Sequence, residues 1–437
     1  MDKKNPPIGV GLLGLGSIGS GVAEALLSDS ERLLYKSGMQ FDLRQILVRD
    51  PKKVRAIRVP SELLTENPSR VLSDPAIQVV IELIGGIHPA VEYVQQALCS
   101  GKDVITANKD LVAKKGPELF ELARKYGRSF RFEAAVCGGM PVIGPIIRDL
   151  QANDFKTIHG ILNGTTNFII TAIEEKLMGF DQALDLAREL GYAETDPSND
   201  ISGVDSANKL AIIASLAFRS YIDPSDVYRE GIEKLRSRDF VYAKELGYAI
   251  KLLATAEAGE DGILVRVHPS LIPDSHLFAK VSGIYNAIQF YGNYSGNIVF
   301  HGQGAGRWPT TSAILGELID VGKSISIDNS PNSLIPGIEK MIPLRTILDL
   351  NTSYYIRLTV SDKAGVFGQI AQTLGSLNIS IASVIQKDAD KEKGTAEVVI
   401  TTHPSREFQI QKALAVLSDL SVVSKINNVI RIGELSS

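Results

Sequence analysis

Short, continuous apolar runs alternate with helical patterns over the first 140 residues of the chain. The runs lie at 8–13, 41–48, 79–84, 102–106 and 129–135. Runs of this length, bounded by turn residues, are typical of parallel strands that are buried on both faces. We therefore predict a doubly wound α/β domain over residues 1–140, completed by a helical pattern near 305–325.

The pattern changes after residue 140. Longer helical patterns now mix with apolar strand patterns at 156–162, 263–268 and 285–301. This mixture predicts an α+β domain over residues 141–304.

A third part of the chain follows a stretch without a clear period. Residues 326–350 are rich in Pro, Asn, Ser and Ile and are predicted to be a linker. Over residues 351–437 the order strand, helix, strand, strand, helix, strand predicts a ferredoxin-like domain.

Composition and charge narrow the class of protein. The 437 residues carry a formal net charge of −4, with acids and bases mixed, which argues against a nucleic-acid partner. The two cysteines, Cys99 and Cys137, form neither a disulfide framework nor a zinc set, and a reducing cytoplasm suits them. The N-terminus lacks the layout of a signal peptide, and no apolar run is long enough to span a membrane. We expect a soluble, cytoplasmic protein without nucleic-acid or membrane partners.

The first apolar run leads into a glycine-rich turn, Gly14-Leu-Gly16-Ser-Ile-Gly19, and then into a helical pattern. In a dinucleotide-binding turn the first glycine permits the tight turn and the second lets the backbone approach a pyrophosphate. The third lets the helix pack on the strand. This context predicts a dinucleotide site, and the alternative is a glycine-rich turn without a ligand. The predicted contacts are Gly14, Gly16, Ser17, Ile18 and Gly19.

The second apolar run ends in Arg49-Asp50, where dinucleotide-binding domains distinguish a free ribose from a 2′-phosphate. Asp50 would suit NAD(H), whereas Arg49 with the nearby Lys52 and Lys53 would suit the extra phosphate of NADP(H). We favour NADP(H), with NAD(H) as the alternative. A basic cluster on a loop can also be merely solvated.

The stretch from Gly191 to Lys209, GYAETDPSNDISGVDSANK, holds most of the candidate chemistry. Asp205 and Lys209 are four residues apart and share one face of a predicted helix. Such a pair can pass a proton to a substrate oxygen or can form a surface ion pair. The apolar continuation LAIIASLAF favours a buried position for the pair in a cleft.

Lys109 is a further candidate because it follows the strand at 102–106. In α/β sheets the catalytic and ligand-binding residues lie at the carboxyl ends of the strands. The alternative is a solvated lysine on a loop.

Five separated segments resemble those of homoserine dehydrogenases, the NAD(P)-dependent enzymes that interconvert aspartate semialdehyde and homoserine. The segments are GLGSIG, TANK, FEAAVCGGMP, GYAETDPSNDISGVDSANK and GQGAG. A sixth segment, SDKAGVFGQIAQTLGSLNISIASV, resembles the ACT domain, an amino-acid-sensing module of biosynthetic enzymes. The resemblance implies NAD(P)H-dependent reduction of L-aspartate 4-semialdehyde to L-homoserine in threonine, methionine and isoleucine biosynthesis. It also implies that residues 141–304 bind the substrate and form the contacts of an oligomer.

The resemblance also implies roles for residues at the reacting centre. Lys209 would be the general acid in reduction, oriented by Asp205, which would also face the substrate. Lys109 would lie beside the nicotinamide and the substrate. Glu194 would bind the α-ammonium group of the substrate, and Thr165 of the N-G-T-x-N run would line the substrate cleft. From the residues alone, a hydroxyl at the end of a strand is about as often part of a helix cap.

Two further segments carry contacts that the resemblance implies. The G-x-G-A-G loop would return to the nicotinamide, with Gly304 as a contact. In FEAAVCGGMP a monovalent cation, often sodium, would be held by Glu133, Val136, Gly138 and Met140. Composition alone does not suggest this site, because a Gly-Gly turn after a strand is more usually only a turn.

The C-terminal domain is expected to bind an amino-acid effector, with threonine as the expected ligand. The stretch from Asp362 to Gly365 follows a strand and opens a helix, where free backbone amides can receive a carboxylate. Such modules pair across a two-fold axis, so a homodimer or homotetramer is expected. If the linker is unstructured, a chain that stops near Leu350 should keep its activity and lose its response to the effector.

Two alternatives remain open from the sequence. A phosphorylating aspartate semialdehyde dehydrogenase would need a thiolate nucleophile, but neither Cys99 nor Cys137 has an obvious base beside it. A non-catalytic sensor of NADP and an amino acid would have no need for Asp205, Lys209 and Lys109 together.

Overall fold

Residues 6–326, 337–338, 341–433 and 435 are described by a computed structural model. The chain divides into two units. The first holds residues up to 155 with 208–225 and 291–341, and the second holds 156–207, 226–290 and 342–437. Each unit therefore combines segments that are distant in sequence.

Strands and helices alternate over the first 140 residues. The strands are β1 (Ile8–Leu13), β2 (Phe41–Leu47), β3 (Leu64–Thr65), β4 (Val79–Glu82), β5 (Asp103–Thr106) and β6 (Phe130–Arg131). The helices are α1 (Ser17–Ser28), α2 (Ser30–Ser37), α3 (Ser69–Leu72), α4 (Ala90–Cys99) and α5 (Lys109–Lys125). The strands pair in parallel in the order β3-β2-β1-β4-β5-β6. This doubly wound order has its switch point between β1 and β4, and it confirms the predicted α/β class.

Helices and strands mix in the middle part of the chain. The helices are α6 (Gly164–Lys176), α7 (Phe180–Glu189), α8 (Ser198–Ile201), α9 (Val204–Phe218), α10 (Ser237–Glu245) and α11 (Arg307–Ser326). The strands are β7 (Phe155–Ile161), β8 (Tyr228–Arg229), β9 (Tyr248–Gly259), β10 (Gly262–Pro273), β11 (Tyr285–Gly292) and β12 (Gly296–Gln303). In the described part of the chain, no helix combines the length and the apolar character that a membrane span requires.

The C-terminal part has the predicted order of elements. These are β13 (Asn351–Ser361), α12 (Val366–Ser376), β14 (Ile381–Asp390), β15 (Thr395–Thr402), β16 (Ser405–Arg406), α13 (Glu407–Asp419) and β17 (Val423–Ile432). The long strands lie antiparallel in the order β17-β13-β15-β14. The predicted ferredoxin-like arrangement is therefore confirmed.

Helix α11 packs on the parallel sheet and on helix α1 within the first unit. Its residues Ile314, Leu318 and Val321 are buried in the same apolar cluster as Val22 and Leu26 of α1. The cluster also contains inward-facing residues of β1, β2 and β4. A segment that lies far along the chain thus closes the core of the N-terminal sheet.

A mixed sheet organises the second unit. Its strands follow the order β11-β7-β9-β10-β17-β13-β15-β14. Strands β9 and β10 form a long antiparallel hairpin. Strand β17 pairs in parallel with β10, where Ser270 faces Arg431 and Leu271 faces Ile432. The C-terminal strands therefore extend the sheet of the preceding domain.

A buried carboxylate joins α10 to these C-terminal strands. Asp239 is fully buried, and its oxygens accept hydrogen bonds from Nε and Nη2 of Arg357 at 2.7 and 3.2 Å. They also accept bonds from the Asn428 amide at 2.9 Å and the Tyr355 hydroxyl at 3.2 Å. A charge removed from water needs such partners, because an unpaired buried charge is strongly destabilising. The C-terminal domain supplies all three of these side chains.

Two predicted elements differ from the observed ones, and one observed strand was not predicted. The strand predicted at 285–301 is wrong as a single element, because Gly296 takes a φ of 63° that separates β11 from β12. The strand predicted at 129–135 ends at Arg131, and a 3-10 turn follows at Glu133–Ala135. Strand β9 was not predicted, since the Ala- and Leu-rich run YAIKLLATAEAG fits a helix equally well.

The predicted linker at 326–350 lies partly outside the described residues. Its last part is structured: Leu344 forms a β-bridge with Ile263, and the Arg345 amide donates to the Ile263 carbonyl at 2.8 Å. A 3-10 turn at Ile347–Asp349 then leads into β13. This part of the stretch is therefore attached to the second unit before the C-terminal domain begins.

Candidate functional site

The turn between β1 and α1 has the geometry that a pyrophosphate needs. Gly14 takes a φ of 100°, and a Cβ on Gly19 would collide with the Gly14 carbonyl oxygen. At Gly16 the position of a Cβ is open, and this N-cap residue makes no side-chain cap. Ser17, which is exposed, and Ile18 form the first turn of α1. The turn therefore fits the anionic diphosphate of a dinucleotide at a helix N-terminus.

The loop after β2 carries the candidates for recognition of the ribose. Arg49 and Asp50 are both exposed. The Arg55 guanidinium donates to the carbonyls of Asp50 at 2.5 Å and Lys53 at 2.7 Å, while the Asp50 carboxylate accepts from the Lys52 amide at 2.8 Å. Arg55 thus holds the loop conformation. Arg49 keeps the exposed position that the prediction requires.

A buried carboxylate shapes the loop that carries Lys109. Glu82, at the end of β4, is fully buried and accepts hydrogen bonds from the Thr106 hydroxyl at 2.6 Å and the Ile84 amide at 2.7 Å. Burial raises the pKa of Glu82, and these hydrogen bonds oppose the rise. Asn108 then caps α5 with its side-chain oxygen, and Lys109 follows, half-buried. Sequence reasoning missed Glu82, although an acid at the carboxyl end of a buried strand was a usable signal.

A hydrogen bond ties the start of α5 to α9 within the first unit. The Asn208 amide donates to the Asp110 carboxylate at 2.9 Å. Each of these residues is the neighbour in sequence of a predicted catalytic lysine, Lys209 or Lys109. The structure thus brings the two lysine-bearing segments together through residues that the sequence analysis did not identify.

Asp205 and Lys209 lie one turn apart on α9, as predicted, and both are buried, with exposed fractions of 5% and 8%. This burial excludes the alternative of an exposed surface pair. The Asn163 amide donates to Asp205 at 2.8 Å and to Asp200 at 2.7 Å, while its oxygen caps α6 by accepting from the Thr166 amide at 2.8 Å. Asn163 therefore caps a helix and holds the candidate acid at the same time. Asn163 belongs to the N-G-T-x-N pattern, whereas its partners Asp200 and Asp205 lie outside that pattern.

Thr165 and the loop that carries Glu194 are close to each other in the second unit. The Thr165 hydroxyl donates to the Tyr192 carbonyl at 2.6 Å. The Tyr192 ring packs against Phe168 with the ring centroids 4.9 Å apart. These contacts fix the loop, and Glu194 is exposed on it. Because the Thr165 hydroxyl already donates its proton to the Tyr192 carbonyl, it can only accept a hydrogen bond from a ligand.

The Glu133 carboxylate is engaged by backbone donors. It accepts hydrogen bonds from the amides of Val142 at 2.6 Å, Ile143 at 2.9 Å and Gly144 at 2.6 Å. Burial raises the pKa of Glu133, and these three donors oppose the rise. Because a carboxylate offers about four acceptor positions, little capacity is left for a cation on the side chain itself.

The remaining candidate cation ligands lie in the turn that follows Glu133. Cys137 and Gly138 take φ values of 55° and 28°, so the backbone turns sharply between Val136 and Met140. Among the described residues, no group of three or more His, Cys, Asp and Glu side chains could hold a metal. The site fits a hard monovalent cation only if backbone carbonyl oxygens provide most of the ligands.

Gly304 packs against this same turn in the first unit. The Gly139 amide donates to the Gln303 carbonyl at 3.1 Å. A Cβ on Gly138 would lie 3.0 Å from the Gly304 carbonyl oxygen, so the Gly-Gly sequence is needed for the close approach. The candidate cation turn and the G-x-G-A-G loop therefore support each other.

We expect Asn163→Ser to lower turnover by about tenfold or more while keeping the helix cap, because Ser is also a good N-cap residue. Ser is too short to donate to both Asp200 and Asp205. Turnover and the thermal midpoint of the purified variant check this prediction. Asn67→Ser is the control, since the Asn67 side chain accepts a local amide bond on an exposed turn. Unchanged turnover with an intact cap would show that Asn163 only caps α6.

The chain is similar to known proteins over nearly its whole length. Residues 14–133 match the family model of the homoserine dehydrogenase NAD binding domain, residues 141–319 that of homoserine dehydrogenase and residues 354–421 that of the ACT domain. A homoserine dehydrogenase of Neisseria gonorrhoeae is 40% identical over 98% of this chain and 99% of its own. That of Bacillus subtilis is 36% identical over 97% and 98%. A homoserine dehydrogenase structure from Thiobacillus denitrificans has a TM-score of 0.89 at 38% identity and covers 99% of both chains.

These similarities decide between the classes of protein that the sequence left open. They favour neither a phosphorylating dehydrogenase nor a non-catalytic sensor. Of the two thiols, Cys137 is buried and Cys99 is exposed on α4, and neither forms a disulfide. The chain belongs to the homoserine dehydrogenase family of NAD(P)-dependent oxidoreductases that act on a CH–OH group, and it carries a C-terminal ACT domain.

Proposed function

We propose that the protein reduces L-aspartate 4-semialdehyde to L-homoserine with NAD(P)H, in the cytoplasmic biosynthesis of threonine, methionine and isoleucine. The observation that carries the proposal is the buried pair Asp205 and Lys209 on α9, with Asn163 bonded to the acid. A buried ammonium group one helix turn from a fixed carboxylate suits proton donation to an aldehyde oxygen. Membership of the family supplies the class of reaction.

Each predicted residue has a separate task in this reduction. When bound, the nicotinamide supplies the hydride that the aldehyde carbon accepts. Lys209 gives a proton to the aldehyde oxygen as charge develops there, and it takes the proton back in the reverse reaction. Asp205 orients the Lys209 ammonium group and balances its charge, while Lys109 assists at the nicotinamide end. Glu194 binds the α-ammonium group of the substrate, and Thr165 lines its site.

The proposal is tested by following the absorbance of NADPH and of NADH with L-aspartate 4-semialdehyde and the purified chain. We expect consumption of coenzyme that depends on the semialdehyde, and formation of reduced coenzyme when L-homoserine and oxidised coenzyme are supplied. An enzyme that consumes neither coenzyme with this substrate would refute the proposal.

NADP(H) is the proposed coenzyme, because Arg49 is exposed at the end of β2 while Arg55 holds the loop. Arg49→Ala should raise the KM for NADPH more than that for NADH. A charged hydrogen bond of about 1.5–3 kcal/mol is lost only with the phosphate, which corresponds to roughly ten- to hundredfold. Steady-state kinetics with both coenzymes measure the effect, and Arg70→Ala, at an exposed arginine of α3, is the control. Equal changes for both coenzymes would mean that Arg49 is a solvated loop residue.

A monovalent cation, Na⁺, is the proposed occupant of the turn formed by Glu133, Val136, Gly138 and Met140. Its support is the sharp backbone turn at Cys137 and Gly138, which packs on Gly304, and the preference of a hard cation for carbonyl oxygens such as those of Val136, Gly138 and Met140. Such a cation would stiffen a turn that adjoins the G-x-G-A-G loop.

The ACT domain is the proposed site of feedback regulation, with threonine as effector. Asp362 and Gly365 are exposed, and Gly365 precedes α12 without a side-chain cap. The first amides of α12 can therefore receive a carboxylate, and Asp362 can receive an ammonium group. Pairing of two such domains would place the effector at a subunit interface, so a homodimer or homotetramer is part of this proposal.

A further inference from the structure

A polar cavity of about 140 Å³ lies inside the second unit, where the β9–β10 hairpin meets β13 and β17. Side chains from each of these strands and from β7 line it, among them His159, Thr255, Arg266, His268 and Thr352. A single water molecule needs about 10–15 Å³ of cavity volume, so this cavity has room for a small molecule.

Arg266 leaves donors unused in this cavity. The residue is buried, with an exposed fraction of 8%. Its Nη2 donates to Glu257 at 2.6 Å, whereas Nε and Nη1 have no hydrogen-bond partner among the described residues. A guanidinium stays protonated in proteins, so both groups remain N–H donors at any physiological pH. Buried donors without an acceptor are costly, and an acceptor inside the cavity would remove this cost.

Two neutral histidines add acceptor capacity. Burial lowers the pKa of His159 to about 4 and that of His268 well below its ordinary value, and the charge of Arg266 adds to both effects. Nδ1 of His268 lies 3.0 Å from the Pro269 carbonyl oxygen, so it carries the proton of the neutral ring. Nε2 of His268 is therefore an acceptor, and it has no partner within the described part of the chain.

The second arginine of the cavity wall differs from Arg266 because all three of its guanidinium nitrogens donate to carboxylates. Arg431 donates to Glu407 at 2.7 Å through both Nε and Nη2, and to Glu230 at 2.8 Å through Nη1. Among the described residues that line the cavity, the buried side-chain polar atoms without a partner are therefore Nε and Nη1 of Arg266 and Nε2 of His159 and His268. An anionic oxygen group complements the donors, and a neighbouring N–H or O–H group complements the His268 acceptor.

We propose that this cavity binds a small carboxylate whose oxygens accept hydrogen bonds from Nε and Nη1 of Arg266. A plain carboxylate satisfies these donors, and an amino acid would also donate from its ammonium group to Nε2 of His268. The cavity is bounded by β10 and β17, the strands that join the C-terminal domain to the rest of the second unit. An occupant therefore contacts both sides of that junction. This site is separate from the turn at Asp362–Gly365, and it does not depend on the proposed reaction.

Isothermal titration calorimetry of the full-length protein tests the proposal. The probes are acetate, which carries the carboxylate alone, glycine, which adds an ammonium group, and inorganic phosphate as a different anion. We expect saturable binding of acetate or glycine, weakened at least about tenfold in Arg266→Lys, which keeps a charge opposite Glu257 but loses the fork of donors. Tighter binding of glycine than of acetate would identify the amino acid as the occupant.

Arg229→Lys is the matched control, because Arg229 is exposed on β8, which pairs with β10. It should bind the probes as the unchanged protein does. Phosphate binding as tightly as acetate would overturn the assignment to a carboxylate. Absence of binding by either carboxylate would overturn the proposal and would mean that the cavity holds only water. Equal binding by Arg266→Lys would also overturn it, because the probe would then bind without the Arg266 donors.

If Arg266→Lys does not fold, the proposal can still be tested on the unchanged protein through the resonances of its histidine side chains. Two of the six histidines, His159 and His268, line the cavity. In protein labelled with heavy nitrogen at histidine, saturating acetate should shift the imidazole resonances of these two residues and leave the other four in place. Unperturbed resonances of both would overturn the proposal.

Discussion

Lys209→Ala is expected to lower turnover by about 10²–10⁴-fold, the usual contribution of a general acid or base. Binding of NADP(H) should persist, because the glycine turn at the start of α1, and not α9, has the geometry for the diphosphate. Binding and chemistry should therefore separate. Turnover is measured from coenzyme consumption, and coenzyme affinity from the fluorescence of NADPH.

The control for this experiment is Lys114→Ala, which removes an exposed lysine from α5. It should behave as the unchanged enzyme does. Lys209 is buried, so the thermal midpoint of its variant must also be compared to exclude unfolding as the cause. A folded Lys209→Ala enzyme with near-normal turnover would remove Lys209 from the proposed mechanism.

The largest expected loss of stability follows from removal of a single partner of Asp239. Arg357→Ala should lower the free energy of unfolding by about 3–5 kcal/mol, because a buried carboxylate then loses its charged partner. Both Nε and Nη2 of Arg357 donate to Asp239 in the structure. Unfolding in urea, followed by circular dichroism, measures the loss.

A second ion pair between α10 and the C-terminal strands provides a matched control. Lys387 of β14 lies 2.6 Å from Glu245 at the end of α10, and its side chain is half exposed, at 53%. Lys387→Ala should cost only about 0–1 kcal/mol, because water screens an exposed pair. Equal losses in the two variants would contradict the special role of the buried pair.

The contacts of Asp239 also change what is expected of a chain that ends near Leu350. From sequence, the C-terminal domain is predicted to be removable without loss of activity. Such a chain would lack Arg357, Asn428 and Tyr355, and the Asp239 carboxylate would lose the hydrogen bonds that these three side chains donate. We now expect the shortened chain to be unstable, so regulation is better tested with point variants of the full-length protein.

Local patterns in the sequence were sufficient for much of the fold. Continuous apolar runs and the glycine turn predict the parallel sheet, because both signals depend on residues that are close in sequence. The order of elements after residue 350 predicts the ferredoxin-like domain in the same way. The pairing of β17 with β10 could not be predicted, since alternation along a strand shows which face is buried but not which strand lies beside it.

The same limit applies to the candidate site. Lys109 and Lys209 were found because each follows a recognisable local pattern. The bond between Asn208 and Asp110 joins residues of two different helices, and no spacing in the sequence predicts it. Asn163 was noticed as part of a motif, yet its bonds to Asp200 and Asp205 depend on how α6, α8 and α9 pack.

The position of β17 between β10 and β13 has a consequence for biosynthesis of the protein. Strand β17 is synthesised after the other strands of its sheet, although it occupies an interior place between two of them. Until it emerges, β10 lacks its partner at Ser270 and Leu271, which leaves an open edge that another chain can bind, and Asp239 lacks Asn428. Long-range pairing of this kind is slow to form. We therefore expect the second unit to complete folding only after β17 has left the ribosome, and to need protection from aggregation until then.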